Sequence, residues 1–367
     1  RVHRRQRQMC IRDSDIREAE TLPKRFYKDQ GIYEEVKEKI FVKSWQFIGH
    51  KNILPVNINL YPFNFLDNYI NEPLLLVRDG NENLRCLSNV CTHRANIIID
   101  NPCEAKGIRC SYHGRKFNLD GVFKSMPDFE ETKNFPRDCE NLKSFKISSI
   151  GPFLFTSLEP GFEIQSIFNE ISNRLSFFEF DSLVERPDLS VDQLVNANWA
   201  VYCENYLDPF HIPFVHKDLT KVLDIEKYSM EIYENYNLQV GYASEGEEFF
   251  EINEDHHDYG NKISAYYYWI YPNIMLNFYP WGLSINVVTP LEINRTKVSF
   301  IQFMLDETKY DSGAGGLIDK VEREDEYVVE QVSKGLESRY YNTGRFSPTK
   351  ELTIHHFHKL ISDSLSK

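Results

Sequence analysis

Apolar positions along the chain fall into three regimes. Among the charged residues of 15–44, Phe26, Ile32, Tyr33, Val36, Ile40 and Phe41 stand at roughly helical spacing, which predicts a helical lead-in that packs on a larger body. From Trp45 to about Ile150 the apolar runs shorten and are punctuated by Gly, Pro and Asn: 47–53, 73–78, 84–87 and 143–147, with 153–156 just beyond. Short strands separated by turn signals predict a small all-β domain over 45–155. Past Pro160 the chain is polar and partly helical, then alternates in strand-like fashion over 262–305. The segment 316–336 places Leu317, Val321, Val328, Val329, Val332 and Leu336 at helical spacing in a strongly charged background. The expected fold class is α+β, with the larger α+β domain over 156–367.

Composition narrows the function. The 42 Lys and Arg against 55 Asp and Glu give a formal charge of -13, which argues against nucleic-acid binding, since phosphate recognition needs a basic face. No apolar run reaches the ~18 residues of a membrane span. Aromatic residues make up 14 % of the chain, a content suited to a β-rich core and an aromatic-lined pocket. The seven cysteines have no signal peptide before them and do not read as a disulfide framework, so a cytoplasmic location is expected. Residues 1–14 carry five Arg, and their MCIRDS stretch resembles translated sequencing-adaptor sequence. They are read as a non-native tail, and Cys10 goes with it.

Two constellations carry chemistry. Cys91-Thr92-His93 forms C-x-H, and Cys110-Ser111-Tyr112-His113 forms C-x-x-H. Two Cys and two His could hold zinc. Zinc fingers, however, pair Cys with Cys and His with His along the chain, whereas here each half supplies one thiolate and one imidazole. That division suits a Rieske [2Fe-2S] centre, in which two thiolates hold one iron and two imidazoles the other. The second constellation, ENYLDPFHIPFVH, holds Asp208, His211 and His216 as D-x2-H-x4-H. On an ideal helix the two His would stand about 140° apart; Pro213 between them is expected to distort the turn and let them converge. A 2-His-1-carboxylate triad holding non-haem Fe(II) needs a third ligand. Asp208 is the nearest acid. Asp319, Glu322, Glu324, Asp325, Glu326 and Glu330 lie further on, and composition does not choose among them.

The segment NVCTHRANIIIDNPCEAKGIRCSYHGRKFNLDGVFKSMP resembles the Rieske domain of ring-hydroxylating oxygenase alpha subunits. It departs at Arg115, where that family usually has Trp, and at Ala95, often Gly there. The tract DKVEREDEYVVEQVSKGLESRYYNTGRF, the terminal HHFH and the aromatic run 266–291 are similar to choline monooxygenase-like members. The resemblance implies a helix-grip-like catalytic domain with a central antiparallel sheet covered by helices. It implies Asp325 as the third iron ligand, with Glu324 the second choice. It assigns Asp208 to bridging the cluster of one subunit and the iron of the next, with Asn205 beside it. It also implies a homotrimer, O2 as co-substrate, and an NAD(P)H-dependent flavin and iron-sulfur reductase or ferredoxin as electron donor.

The substrate expected on this resemblance is a quaternary ammonium compound such as choline, betaine or carnitine, hydroxylated or N-dealkylated. Cation-π contact would recognise it, and Trp269, Tyr271, Tyr279 and Trp281 are candidates, with strand alternation placing Tyr267, Trp269 and Tyr271 on one face. An apolar aromatic substrate would use the same residue types, so an aromatic-ring-hydroxylating dioxygenase is the second reading. A Rieske electron carrier without oxygenase chemistry is the third, and it leaves D-x2-H-x4-H unexplained.

Overall fold

The computed structural model describes residues 15–366; the 1–14 tail lies outside the described residues. The chain forms two compact units, one spanning Val42–Ser172 and the other built from the residues up to Phe41 together with those from Asn173 onward.

The first unit is a β domain. Its main sheet comprises β1 (Gln46–His50), β2 (Leu60–Phe65), β3 (Glu72–Arg78), β4 (Leu84–Ser88), β8 (Ser144–Ile150) and β9 (Phe153–Ser157), in the order β1-β9-β8-β4-β3-β2. A small sheet of β5 (Ile108–Arg109), β6 (Lys116–Phe117) and β7 (Phe123–Ser125) lies in the insertion between β4 and β8. The unit extends past residue 155 because the helix Ile164–Arg174 buries Ile164, Ile167, Phe168 and Ile171, and Phe168 packs on Phe155 of β9 at 4.8 Å between ring centroids. Apolar residues three and four apart give that helix a face that has to be covered, and the β9 side of the sheet covers it.

Two loops in this unit fold alike. In the first, Cys91 N–H donates to the Asn96 carbonyl (2.9 Å) and Ala95 N–H to the Cys91 carbonyl (2.9 Å). In the second, Cys110 N–H donates to the Arg115 carbonyl (2.8 Å) and Gly114 N–H to the Cys110 carbonyl (3.1 Å). The fourth residue after each cysteine takes a left-handed conformation, φ 55° at Ala95 and 73° at Gly114. Glycine does this without steric cost, which explains its frequent use at both places; Ala95 pays for its Cβ.

Arg115, where the family resemblance leads one to expect Trp, forms a buried ion pair. It is 1 % exposed and donates to Glu140 Oε2 at 2.6 Å. Its guanidinium carbon lies 4.8 Å from the Phe123 ring centroid and 5.7 Å from those of Phe117 and Phe135. A planar cation between aromatic faces fills the space a large ring would fill, and Glu140 neutralises it. The Glu140 carboxyl is held below its usual range chiefly by the Arg115 hydrogen bond.

The second unit is α+β. Its antiparallel sheet comprises β10 (Val184–Glu185), β11 (Val191–Val195), β12 (Ser229–Ile232), β13 (Tyr236–Tyr242), β14 (Ile263–Ile270), β15 (Ile274–Tyr279), β16 (Gly282–Glu292) and β17 (Arg295–Met304). The order is β10-β17-β16-β15-β14-β13-β12, with β11 pairing further along the β17 edge. Helices Trp199–Tyr206, Ile318–Gly335 and Leu352–Ser366 pack in this unit. Asn198 caps the first of them by accepting from Ala200 N–H at 3.1 Å. Glu204 on that helix accepts from Tyr27 and faces His358 Nε2 at 2.9 Å, which joins the lead-in and the terminal helix to it. Among the described residues no helix is long and apolar enough to cross a membrane.

Replacing Arg115 with Met keeps the volume and leaves Glu140 with the exposed Arg137 as its remaining charged partner. Breaking a buried pair from one side costs about 3 kcal/mol or more. Denaturant unfolding of Arg115→Met is expected to show a loss of that order; unchanged stability would mean that the cage, and not the charge pair, holds this loop.

Candidate active site

The two cysteine loops of the β unit bring Cys91 and Cys110 side by side in its core, 3 % and 1 % exposed, while His93 is half-buried and His113 exposed. The imidazole centroids are 4.8 Å apart, edge to face. Asn96 Nδ2 lies 3.6 Å from Cys110 Sγ, and burial, followed by neighbours including Cys110, shifts the Cys91 thiol upward. Two thiols facing inward and two imidazoles facing outward form a donor set that fits a cluster with thiolates on the inner iron and imidazoles on the outer one.

In the α+β unit the site begins where the Trp199–Tyr206 helix ends. Asp208 Oδ1 accepts from Phe210 N–H at 2.8 Å, turning the chain ahead of Pro209-Phe210-His211. One helical turn, Ile212–Val215, follows, with His211 as its N-cap and His216, at φ -102° and ψ 71°, as its C-cap. The histidines converge because they flank this single turn. Pro213 sits in the turn's first positions, where a missing N–H costs nothing, so the expected proline distortion is not the cause.

His211 Nε2 and His216 Nε2 are 3.0 Å apart, and Asp325 Oδ1 lies 3.3 Å from the first and 2.9 Å from the second. Asp325 reaches them from the helix Ile318–Gly335. The other nitrogens also face carboxylates. His216 Nδ1 is 2.7 Å from Glu324 Oε2, and His211 Nδ1 is 3.6 Å from Asp208 Oδ2 and otherwise unpartnered. Glu324 thus stands on the far side of His216 from Asp325. Burial opposes charge on His211, yet Asp208 and Asp325 carry its pKa up to about 9; Asp325 is held low, despite its burial, by the two imidazoles. Two imidazole nitrogens and a carboxylate oxygen converging under buried cover, each imidazole backed by an acid, form a donor set that fits a divalent iron.

Asn205 lines the same cavity, but no side-chain hydrogen bond joins it to Asp208, His211 or His216 among the described residues. A second group of possible ligands, His256, His257 and Asp258, is already engaged: Asp258 pairs with Arg174 and accepts from Tyr266 OH at 2.9 Å, and His256 Nε2 lies 2.9 Å from the Arg174 carbonyl.

A cavity of about 110 Å³ opens onto His211, His216 and Asp325. Tyr202, Tyr206, Tyr228, Tyr267 and Tyr279 contribute phenols to its wall, and Glu322 a carboxyl. Tyr267 and Tyr279 meet edge to face at 5.8 Å, and burial keeps both phenols neutral. Of the four aromatic candidates from the sequence, Tyr279 lines the cavity. Trp269 and Tyr271 do not: Trp269 packs on Phe357 at 5.2 Å, and Tyr271 OH donates to Ser364 Oγ at 3.0 Å, both under the terminal helix. The alternation was sound, but different covers lie over successive stretches of one sheet face. Trp281 stacks behind Tyr279 at 5.3 Å and touches the backbone at Gly315, where an added Cβ would stand 2.0 Å from its Nε1. Tyr206 and Tyr228 went unremarked in the sequence because neither belongs to the aromatic run; Tyr206 stands two residues before Asp208, which was the available signal.

Comparison with known proteins agrees with this geometry. The Rieske [2Fe-2S] domain matches residues 44–136, and the ring hydroxylating alpha subunit catalytic domain matches 180–367. The chain is 29 % identical to the chloroplastic choline monooxygenase of Beta vulgaris over 358 residues, 95 % of this chain and 78 % of that protein. It is 29 % identical to the carnitine monooxygenase oxygenase subunit of Escherichia coli K12 over 362 residues, 94 % of each. A quaternary ammonium Rieske monooxygenase solved with L-carnitine superposes with a TM-score of 0.72 at 22 % identity, over 94 % of this chain and 96 % of that one. Naphthalene 1,2-dioxygenase from Rhodococcus sp. bound to indole gives 0.72 at 14 % identity, over 99 % and 98 %. At these identities the two structures establish a shared fold. The chain belongs to the ring-hydroxylating oxygenase alpha-subunit family, with a Rieske [2Fe-2S] domain joined to a mononuclear-iron catalytic domain.

Proposed function

We propose that this oxygenase is a monooxygenase of a quaternary ammonium compound. The observation that carries the reading is a cavity in which neutral phenols and the Glu322 carboxyl face the His211–His216–Asp325 cluster with no Lys or Arg among the lining residues. Aromatic faces and a buried acid suit a cation, and an uncharged arene would gain nothing from the acid. The names of the choline and carnitine monooxygenase relatives support the same substrate class. The ring-dioxygenase reading rests on shared fold.

In this reading Cys91 and Cys110 hold one iron of the cluster, and His93 and His113 the other. His211, His216 and Asp325 hold Fe(II). When bound, these groups supply two-electron reductive activation of O2 and insertion of one oxygen atom into a C–H bond beside nitrogen, the other atom leaving as water. The protein's part is positional. Glu324 accepts the His216 Nδ1 proton and thereby keeps the Nε2 lone pair directed at the metal, while Asp208, 3.6 Å from His211 Nδ1, places a negative charge behind that imidazole. Asp208 is also the link toward the cluster of a neighbouring subunit in a homotrimer, and Asn205 lies beside that path. The phenols of Tyr228, Tyr267 and Tyr279 shield the reacting carbon from bulk water and orient the ammonium head. Electrons come from an NAD(P)H-dependent flavin and iron-sulfur reductase or a ferredoxin. The described cysteines outside the cluster, Cys86, Cys103, Cys139 and Cys203, form no disulfide, which supports a reducing, cytoplasmic setting.

Single turnover tests the substrate class. Protein reduced chemically without oxygen, mixed with trimethylammonium and aromatic compounds and then exposed to O2, is expected to yield a hydroxylated or N-dealkylated amine by mass spectrometry; a dihydrodiol would favour the dioxygenase. Asp208→Asn is expected to retain both metal centres by metal analysis and visible spectrum, while cluster oxidation coupled to product slows by at least about a hundredfold. Normal coupling in that variant would remove Asp208 from the electron path.

A further inference from the structure

Glu322 is a group that iron binding leaves unused. It lies one helical turn before Asp325 on the buried stripe of the Ile318–Gly335 helix that continues to Val329 and Ser333. It is 8 % exposed, lines the cavity, and takes no hydrogen bond or ion pair from any described residue. Burial, followed by its acidic neighbours Asp319 and Asp325, pushes its pKa up to about 9, and Arg323 relieves it weakly, so the carboxyl is neutral until something positive meets it. A buried carboxyl in this position is costly unless something positive meets it.

The rest of the wall agrees in sign. Asp208 and Asp325 are its other acids, and Asn277, Gln239 and Ser284 add neutral polarity. A divalent ion on the two imidazoles and Asp325 leaves one positive charge there, set against Asp208 and Glu322. With Glu322 neutral the empty lining is close to uncharged; a cation beside Glu322 favours its ionised form, and the lining then carries about one net negative charge, the complement of a monocation, while it offers no guanidinium or ammonium to receive an anion.

We infer that Glu322 is the countercharge for the substrate's ammonium group, so that the pocket selects quaternary ammonium compounds that bear no carboxylate of their own. The inference rests on the quaternary ammonium reading and narrows it: amino alcohols and simple alkyltrimethylammonium ions are admitted, and betaines are disfavoured because their carboxylate meets only acids and neutral groups on the wall. Glu322 acts as a specificity-determining residue in this role; the phenols supply shape and cation-π contact to both kinds of ligand.

Calorimetric titration of the anaerobic, metal-loaded protein with choline, glycine betaine, L-carnitine and the uncharged choline isostere 3,3-dimethylbutan-1-ol tests this without turnover. Wild-type protein is expected to bind choline at least about tenfold more tightly than the zwitterions and the isostere, the factor expected for one charge-assisted contact. In Glu322→Gln, with iron content unchanged, choline and the zwitterions are expected to bind within about threefold of each other, while cation-π contact leaves choline its remaining advantage over the isostere. Betaine or carnitine binding as tightly as choline would overturn the inference and leave the substrate class standing, and so would retention of the preference over the zwitterions in Glu322→Gln. Binding of naphthalene with no binding of any ammonium compound would overturn both.

Discussion

Three electron-pair donors share one small buried volume: two imidazole Nε2 atoms 3.0 Å apart, and a carboxylate oxygen within 3.3 Å of both. Such an arrangement is stable when the donors share a cation, and it sets tight demands on the chain around them. The turn Ile212–Val215 has to be a single turn, or the histidines would diverge. The Ile318–Gly335 helix has to present Asp325 inward, which also turns Glu322 into the cavity and sets Glu324 against the back of His216. Most of the site's other features follow from that one register.

The same logic of donor pairs recurs in the β unit at a different depth. There the thiols are buried and the imidazoles lie toward solvent, so the iron that His93 and His113 would hold would be the one nearer solvent. Two loops with one hydrogen-bond pattern achieve this, each relying on a left-handed residue four places after its cysteine. Ala95 stands at one of these places and Arg115 beside the other, where the family resemblance leads one to expect Gly and Trp. The backbone pattern persists, and Glu140 compensates for the new charge.

Legibility from sequence followed locality. The two cysteine-histidine units were readable because each is a contiguous loop whose spacing reports its own geometry. His211 and His216 were readable as a pair, though the spacing misattributed their convergence to Pro213. Asp325 could not be separated from Glu324 by pattern, because adjacent helix positions differ by about 100° and the choice depends on which side of His216 the helix approaches. Trp269 and Tyr271 were expected near substrate because alternation specifies a face; it does not specify that the terminal helix covers that stretch of the face while the cavity covers Tyr267. The limits of the β unit shifted for a similar reason, since the Ile164–Arg174 helix is assigned by what it buries. Tyr228, distant in sequence from every motif, became visible only through the folding of β12 and β13 around the cavity.

The central claim is that Asp325, approaching from a distant helix, completes an iron site with His211 and His216. Iron analysis of the purified, reconstituted protein, alongside Asp325→Ala and Glu324→Ala, tests it most directly. The account predicts roughly three irons per chain in the wild type, two for the cluster and one for the catalytic site. It predicts about two in Asp325→Ala with an unchanged cluster spectrum, and a third iron retained, more weakly, in Glu324→Ala. A full complement of iron in Asp325→Ala, or loss of the third iron in Glu324→Ala alone, would contradict it.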